Sequence, residues 1–176
     1  MKFAFYRRAA DNDPRVVDLS DDEVLDLLRE TSEAPCTPLD CIGKECPHKD
    51  VDLFSPIDIE GLRHNSTVRL VSMLVLEVDG LSSSAVLRVA QALAGLRHAV
   101  YSTHSHRGGD GRWSLRFAIW LSRPVKVVYR RAGKGSIPTA EDEWHRFYAL
   151  AVRQFGVAAL LDPLADPSRM WYIPGH

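Results

Sequence analysis

An α+β fold is predicted for this chain from three features of its amino-acid sequence. Apolar, β-rich runs alternate with stretches in which apolar residues recur at helical spacing. Glycine-rich and proline-rich turns separate these runs. From residue 67 onward the resulting order is β-α-β-β-α-β, which is the ferredoxin-like, or RRM-like, pattern. We therefore divide the chain into an N-terminal segment, 1–66, with a helix and a loop, and a core, 67–176.

The N-terminal segment predicts one short strand, at residues 2–6, and one helix. Ser20 offers an N-cap with Glu23 as its capping-box partner, and leucines at helical spacing follow, so we expect a helix over about 21–31. Residues 32–66 contain four prolines and read as loop. A loop of this length in a compact domain usually has something that holds it.

The core begins with RLVSMLVLEVD, whose nearly continuous apolar character is typical of a central strand. Ser82–Ser84 can cap a helix that ends at Gly95, and Gly156 can end the last helix. The remaining predicted elements are a strand in HAVYSTHS, a strand in RWSLRFAIWLS, a helix in AEDEWHRFYALAVRQF after Thr139, and a final short strand in SRMWYIPGH.

The charge and hydropathy of the chain exclude some classes of protein. The formal net charge is −1, so any contact with nucleic acid must come from local patches. No apolar run approaches the length of a membrane span, and the N-terminus lacks the apolar region of a signal peptide. We therefore expect a cytoplasmic protein with no membrane partner.

All three cysteines lie in one short stretch of the long loop. CTPLDCIGKECPH has the spacing Cys-x4-Cys-x4-Cys-x-His, and an odd number of clustered thiols argues against a disulfide framework. Four such ligands can surround zinc and order a loop that has few apolar residues. The predicted ligands of this structural zinc are Cys36, Cys41, Cys46 and His48. The alternative is three ordinary thiols and a surface histidine.

Acidic and imidazole side chains gather at the ends of the predicted core strands. Alternation places Glu77 and Asp79 on one face of the first strand, and His104 and His106 on one face of the second. Asp162 comes shortly before the last strand. On an open sheet face these groups would form a two-metal site for phosphoryl transfer, with Mg²⁺ or Mn²⁺ bound by oxygen ligands. The other interpretation is a set of polar strand ends.

Two arginines are predicted near the same site. Arg116 alternates out of phase with Leu115 and Phe117, so it should point to the face away from the core, and Arg169 adjoins the last strand. Guanidinium groups there would clamp a triphosphate. Alternatively, Arg116 is a surface residue of its strand and Arg169 pairs with Asp166.

The ordered set of motifs resembles the catalytic domain of archaeo-eukaryotic-type primase-polymerases of phages and plasmids. LEVDG ends a hydrophobic strand in acid-x-acid, STHSH ends a second strand, and an arginine-bearing strand leads into LSRP. LLDPLADPSRMWYIPG then places an aspartate before an arginine and a closing Pro-Gly. CIGKECPHK and FSP are similar to the N-terminal zinc segment of related bacterial proteins. The resemblance covers nearly the whole chain.

The resemblance implies template-directed nucleotidyl transfer with two Mg²⁺ or Mn²⁺ ions held by carboxylates. The implied catalytic residues are Glu77, Asp79, His106 and Asp162, with Asp166 as the second choice for the third carboxylate. Glu77 stands where the family more usually has aspartate. The implied partners are a single-stranded DNA template or primer-template, an NTP or dNTP, and helicase or other replication proteins.

The resemblance also implies which residues meet the incoming nucleotide. These are Arg116 and Arg169, together with Ser102 and His104, which form a Ser-x-His register that competes with His106. The basic segment KVVYRRAGKGS departs from the family pattern as an insertion. It is either a solvated loop or a contact for template phosphates.

Two other classes of function stay open. A rolling-circle-type nicking endonuclease shares the RRM-like core, but it needs His-hydrophobic-His, where this chain has a serine between His104 and His106. Its nucleophile would be Tyr148 on the predicted last helix. A non-catalytic nucleic-acid-binding or nucleotide-binding domain would display aromatic residues on its central strands, whereas Phe117 and Trp120 alternate with opposite phase.

Overall fold

The computed structural model describes residues 1–8, 10–29, 52–103, 112–127, 143–161 and 166–172. These residues form an α+β fold, which confirms the predicted fold class. Its elements are β1 (Lys2–Tyr6), β2 (Arg15–Asp18), α1 (Asp21–Arg29), β3 (Leu53–Ser55), β4 (Ile57–Ile59), β5 (Val68–Ser82), α2 (Ser83–Leu93), β6 (His98–Ser102), β7 (Arg112–Lys126), α3 (Glu143–Phe155) and β8 (Trp171–Tyr172).

The larger sheet is antiparallel and has the strand order β4-β5-β7-β6. Its two 15-residue strands, β5 and β7, form the central pair. β5 contains RLVSMLVLEVD, which was predicted to be a central strand. Leu76 and Phe117 lie opposite each other and face α2 and α3. This face is one core of the molecule, because alternation turns every second apolar side chain of both strands towards the helices.

A smaller antiparallel sheet, of order β2-β1-β3-β8, packs with α1 over the other face of the larger sheet. Phe3, Phe54 and Val24 are buried there against Met73 and Val75 of β5. The face that carries Glu77 is therefore not open along its whole length. Among the described residues, Glu77 and Asp79 lie beyond Val75, at the end of β5.

The chain order of the core elements agrees with the predicted β-α-β-β-α-β order, but the RRM-like sheet is not confirmed. The last strand, β8, pairs with β3 in the smaller sheet, and β4 occupies the position beside β5. β3 and β4 belong to the stretch 32–66 that was predicted as loop. That prediction is wrong for 53–59. The short apolar run before Pro56 pairs with β1, and the run after it pairs with β5.

The predicted helix signals agree with the structure. The Glu23 amide donates to Ser20 Oγ over 3.2 Å, and the Ser20 amide donates to Glu23 Oε2 over 2.7 Å, which is the predicted capping box. Ser82 caps α2 by accepting from the Ala85 amide. Gly156 follows α3 with a φ of 67°, the left-handed conformation that glycine adopts at helix ends. Within the described ranges, no helix has the length and apolar character that crossing a membrane requires.

Candidate active site

A β-bulge at the end of β5 positions Asp79. Val78 pairs with Leu115 and Leu81 pairs with Trp113, so Asp79 and Gly80 together lie opposite the single residue Ser114. A bulge of this kind bends the strand and re-aims a side chain, and bulges are common beside active sites. The carboxylate of Asp79 consequently lies at the exposed end of a central strand whose preceding residues are buried.

Ser114 holds both residues of the bulge. Its hydroxyl donates to Asp79 Oδ1 and accepts a hydrogen bond from the Gly80 amide over 3.3 Å. Gly80 has a φ of 62°, which is the left-handed region that favours glycine. The second oxygen of Asp79 has no hydrogen-bond partner among the described residues. This carboxylate oxygen is one ligand of the kind that a divalent cation prefers.

Glu77 lies on the same face, between two arginines. Arg116, directly opposite on β7, donates from Nη2 to Glu77 Oε1 over 2.8 Å. Arg169 Nη2 lies 3.5 Å from the other carboxylate oxygen, Oε2. The side chains of Glu77 and Arg116 are only 12% and 8% exposed. Burial of such a pair costs desolvation energy, and the mutual attraction of the two charges acts against this cost.

Trp171 of β8 provides an aromatic surface for both arginines. The guanidinium carbon of Arg116 lies 5.1 Å from the centroid of the indole, and that of Arg169 lies 5.3 Å from it. These distances are within the range of cation–π attraction, and the attraction is larger when the cation is desolvated. The buried indole thus helps to hold two like charges close to one carboxylate.

The turn before β8 presents Arg169. Asp166 Oδ1 accepts hydrogen bonds from the amide of Ser168 over 2.9 Å and from its hydroxyl over 3.1 Å. The Arg169 carbonyl accepts from Ser55 Oγ over 2.8 Å, which ties the turn to β3. Asp166 therefore shapes the turn, whereas the side chain of Arg169 reaches Glu77 rather than Asp166.

Tyr101 lies beside the buried arginine. It pairs with Arg116 across β6 and β7 and is 7% exposed. Burial raises the pKa of the Tyr101 hydroxyl to about 12, and the Arg116 guanidinium acts in the opposite direction. The phenol therefore stays neutral in the physiological range and contributes no negative charge to the site.

The structure brings three of the predicted residues into contact, Glu77, Arg116 and Arg169, and Asp79 follows Glu77 by two residues on β5. Ser102 is not among them. It pairs with Leu115, whose side chain belongs to the core on the helix side, so alternation turns Ser102 away from the Glu77 face. β6 ends at Ser102, and the next amide, that of Thr103, donates to the Ser114 carbonyl over 3.0 Å.

The remaining predicted residues lie outside the described residues. These are the catalytic His106 and Asp162, the nucleotide-binding His104, and the zinc ligands Cys36, Cys41, Cys46 and His48. Within the described ranges, no group of three or more His, Cys, Asp or Glu side chains is arranged to hold a metal ion. The Mg²⁺, Mn²⁺ and zinc sites therefore stay predictions.

Three residues of the site were missed by sequence reasoning: Ser114, Tyr101 and Trp171. Ser114 is in phase with Arg116 on β7, which is a signal that could have placed it on the same face. Tyr101 could have been placed by the same alternation on β6. Trp171 carried no such signal, because its position depends on the pairing of β8 with β3.

Comparisons of the chain with protein-family models, with curated proteins and with solved structures found no match.

Proposed function

We propose that this chain is a primase-polymerase domain that catalyses metal-dependent, template-directed nucleotidyl transfer. The observation that carries the proposal is an exposed carboxylate, Asp79, on a bulge two residues after Glu77, whose carboxylate contacts Arg116 of β7 and Arg169 of the turn before β8. A carboxylate that binds a cation and a guanidinium that binds phosphate are the two groups that phosphoryl transfer requires.

The arrangement of the core supports the RRM-like part of the proposal. β5, β7 and β6 are adjacent in that order, and α2 connects β5 to β6. This is the strand order expected for the first three strands of a ferredoxin-like unit. Mg²⁺ or Mn²⁺ bound at Asp79 would supply the Lewis acid that neutralises charge on the reacting phosphates. Asp162 and His106 would complete this site.

The described residues give less support to a nicking endonuclease and to a non-catalytic nucleic-acid-binding or nucleotide-binding domain. Tyr148, the nucleophile that nicking would require, is 7% exposed and packs in the core on the helix side near Trp144. Phe117 is buried on that same side, and Arg97 stacks over Trp120. Trp113, the third aromatic residue of β7, is 39% exposed, but its Nε1 donates to Ser83 Oγ of α2 over 2.9 Å. The three side chains thus do not form a shared platform for bases.

Primer extension tests the proposal. The full chain would be incubated with a primed single-stranded DNA template, Mn²⁺ or Mg²⁺, and labelled NTPs or dNTPs. We expect extension that falls by roughly 100-fold or more in Asp79→Asn and in Asp162→Asn, because each loses a charge that holds the metal. Asp58→Asn on the edge strand β4 is the matched control and should retain extension.

Two other experimental outcomes would contradict the proposal. Cleavage of the template with a covalent adduct on tyrosine would indicate nicking. Binding of template or nucleotide without extension under any of these conditions would indicate a non-catalytic domain.

A further inference from the structure

We propose that Glu77 is the shared counter-ion of two arginines rather than a metal ligand, and that of these arginines Arg169, and not Arg116, receives the phosphates of a nucleoside triphosphate. The inference rests on the proposed function for the identity of the ligand. It divides the four residues into two parts: Asp79 for the cation, and the Glu77–Arg116–Arg169 group for the anion.

Both carboxylate oxygens of Glu77 face a guanidinium group. Arg116 occupies Oε1 over 2.8 Å, and Arg169 lies 3.5 Å from Oε2. A divalent cation at Glu77 would have to displace a guanidinium and then remain close to two positive charges, which is electrostatically unfavourable. Asp79 differs, because its own contact in the described part of the chain is a neutral hydroxyl, and the nearby Arg112 guanidinium donates to the Gly80 carbonyl over 3.3 Å.

The two arginines differ in their access to solvent. The side chain of Arg116 is 8% exposed and that of Arg169 is 40% exposed, although both stack on Trp171. Arg116 is enclosed between Glu77, Trp171 and Tyr101, so a triphosphate in solution does not reach it directly. Arg116 is therefore the fixed partner of Glu77, and Arg169 is the accessible one.

The pairing of Arg169 with Glu77 is also the weaker of the two. Its distance of 3.5 Å exceeds the roughly 2.7–2.9 Å of a strong charge-assisted hydrogen bond. Two guanidinium groups against one carboxylate leave an excess positive charge in the cluster. A phosphate oxygen can thus replace Glu77 as the partner of Arg169, while the guanidinium keeps its position over Trp171.

Binding of two separate probes tests this division of roles. The full chain would be titrated by calorimetry with tripolyphosphate in buffer free of added divalent ions, and separately with Mn²⁺ followed by electron paramagnetic resonance. Arg169→Gln should raise the Kd for tripolyphosphate at least tenfold and leave the Kd for Mn²⁺ within twofold. Asp79→Asn should show the reverse pattern.

Glu77→Gln is the decisive variant. We expect it to leave the Kd for Mn²⁺ within twofold and to tighten tripolyphosphate binding about threefold or more, because a competing negative charge is removed. Arg97→Gln is the matched control, since Arg97 also stacks on a tryptophan and pairs with an aspartate, Asp21. It should change neither affinity.

Several outcomes would overturn the inference. One is a Glu77→Gln variant that loses Mn²⁺ affinity to the same extent as Asp79→Asn. Another is tripolyphosphate binding that is absent in the wild type or unaffected by Arg169→Gln. If Glu77→Gln does not fold, the double variant Glu77→Gln with Arg116→Gln removes the buried charges together, and the same Mn²⁺ criterion applies.

Failure of the proposed function can be distinguished from failure of this inference. If the wild-type chain binds tripolyphosphate through Arg169 but never extends a primer, the anion site stands and the proposed polymerase function is wrong. If the wild-type chain extends primers and Glu77→Gln loses Mn²⁺ affinity, the proposed polymerase function stands and Glu77 is a metal ligand.

Discussion

At the scale of single residues, two buried phenols make the stability of the fold depend on pH in the alkaline range. Burial raises the pKa of Tyr101 and of Tyr6 to about 12. Tyrosine in an unfolded chain ionises near pH 10, so between about pH 10 and 12 the unfolded state loses protons that the folded state retains. The resulting stability is fully present below pH 10 and is lost as the pH rises towards 12.

Tyr101→Phe should remove part of this alkaline sensitivity. Each phenol contributes a slope of at most about 1.4 kcal/mol per pH unit in this window. The free energy of unfolding, measured by urea titration between pH 8 and 11.5, should therefore fall less steeply in the variant. At pH 8 the change should be small, because the Tyr101 hydroxyl has no hydrogen-bond partner among the described residues.

Tyr6→Phe provides the comparison for this measurement. It should reduce the slope in the same way, and the double variant should combine both reductions. If the free energy of unfolding falls equally steeply with pH in wild type and Tyr101→Phe, ionisation of the Tyr101 phenol does not contribute to the alkaline loss of stability.

At the scale of elements, the bulge at Asp79 and Gly80 couples backbone conformation to the candidate site. Only glycine adopts a φ of 62° without strain, and the amide of Gly80 is held by the same serine that holds the carboxylate of Asp79. Any substitution at position 80 that changes this backbone conformation should therefore also move the carboxylate of Asp79.

Gly80→Ala is therefore expected to lower both stability and primer extension. The left-handed conformation costs a non-glycine residue about 1–2 kcal/mol, and the carboxylate should lose its alignment. Gly61→Ala is the matched control, because Gly61 also has a positive φ, 81°, but lies in a loop before β5. The variants would be compared by urea unfolding and by extension assays.

The control separates strain from alignment. Both variants should lose stability to a similar degree, but only Gly80→Ala should lose extension. Equal extension in the two variants would show that the bulge does not position a reacting group.

Local signals explain why many elements were predictable and others were not. The capping box of Ser20 and the cap of Ser82 act within one helical turn, so the sequence itself reports them. β3 and β4 have three residues each and are divided by Pro56. Strands this short depend on partners far along the chain, as in the pairing of Leu53 with Tyr172.

At the scale of the whole molecule, the candidate site joins the two sheets. Trp171 belongs to the smaller sheet through β8, while Arg116 belongs to the larger sheet through β7. Alternation along one strand could predict that Glu77 and Asp79 share a face. It could not predict that Arg169 contacts Glu77 and stacks on Trp171 there, because that requires the return of the chain to β3.

The remaining whole-molecule prediction concerns zinc. Residues 36–48 carry four potential ligands and few apolar residues, so a bound metal would supply the free energy that orders this stretch. We expect metal analysis of the purified full chain to find about one zinc per chain. Cys46→Ser should abolish it and lower the midpoint of thermal unfolding, because zinc binding contributes to folding.

Thr37→Ser is the matched control, since it changes a residue of the same stretch that is not a predicted ligand. It should retain zinc and the wild-type unfolding midpoint. The structural role also predicts that substoichiometric zinc lowers stability without changing the Kd for tripolyphosphate, because the anion site of Arg169 and Glu77 is built from other residues. Wild-type chain without zinc and with unchanged stability after chelation would show that the cysteines serve another purpose.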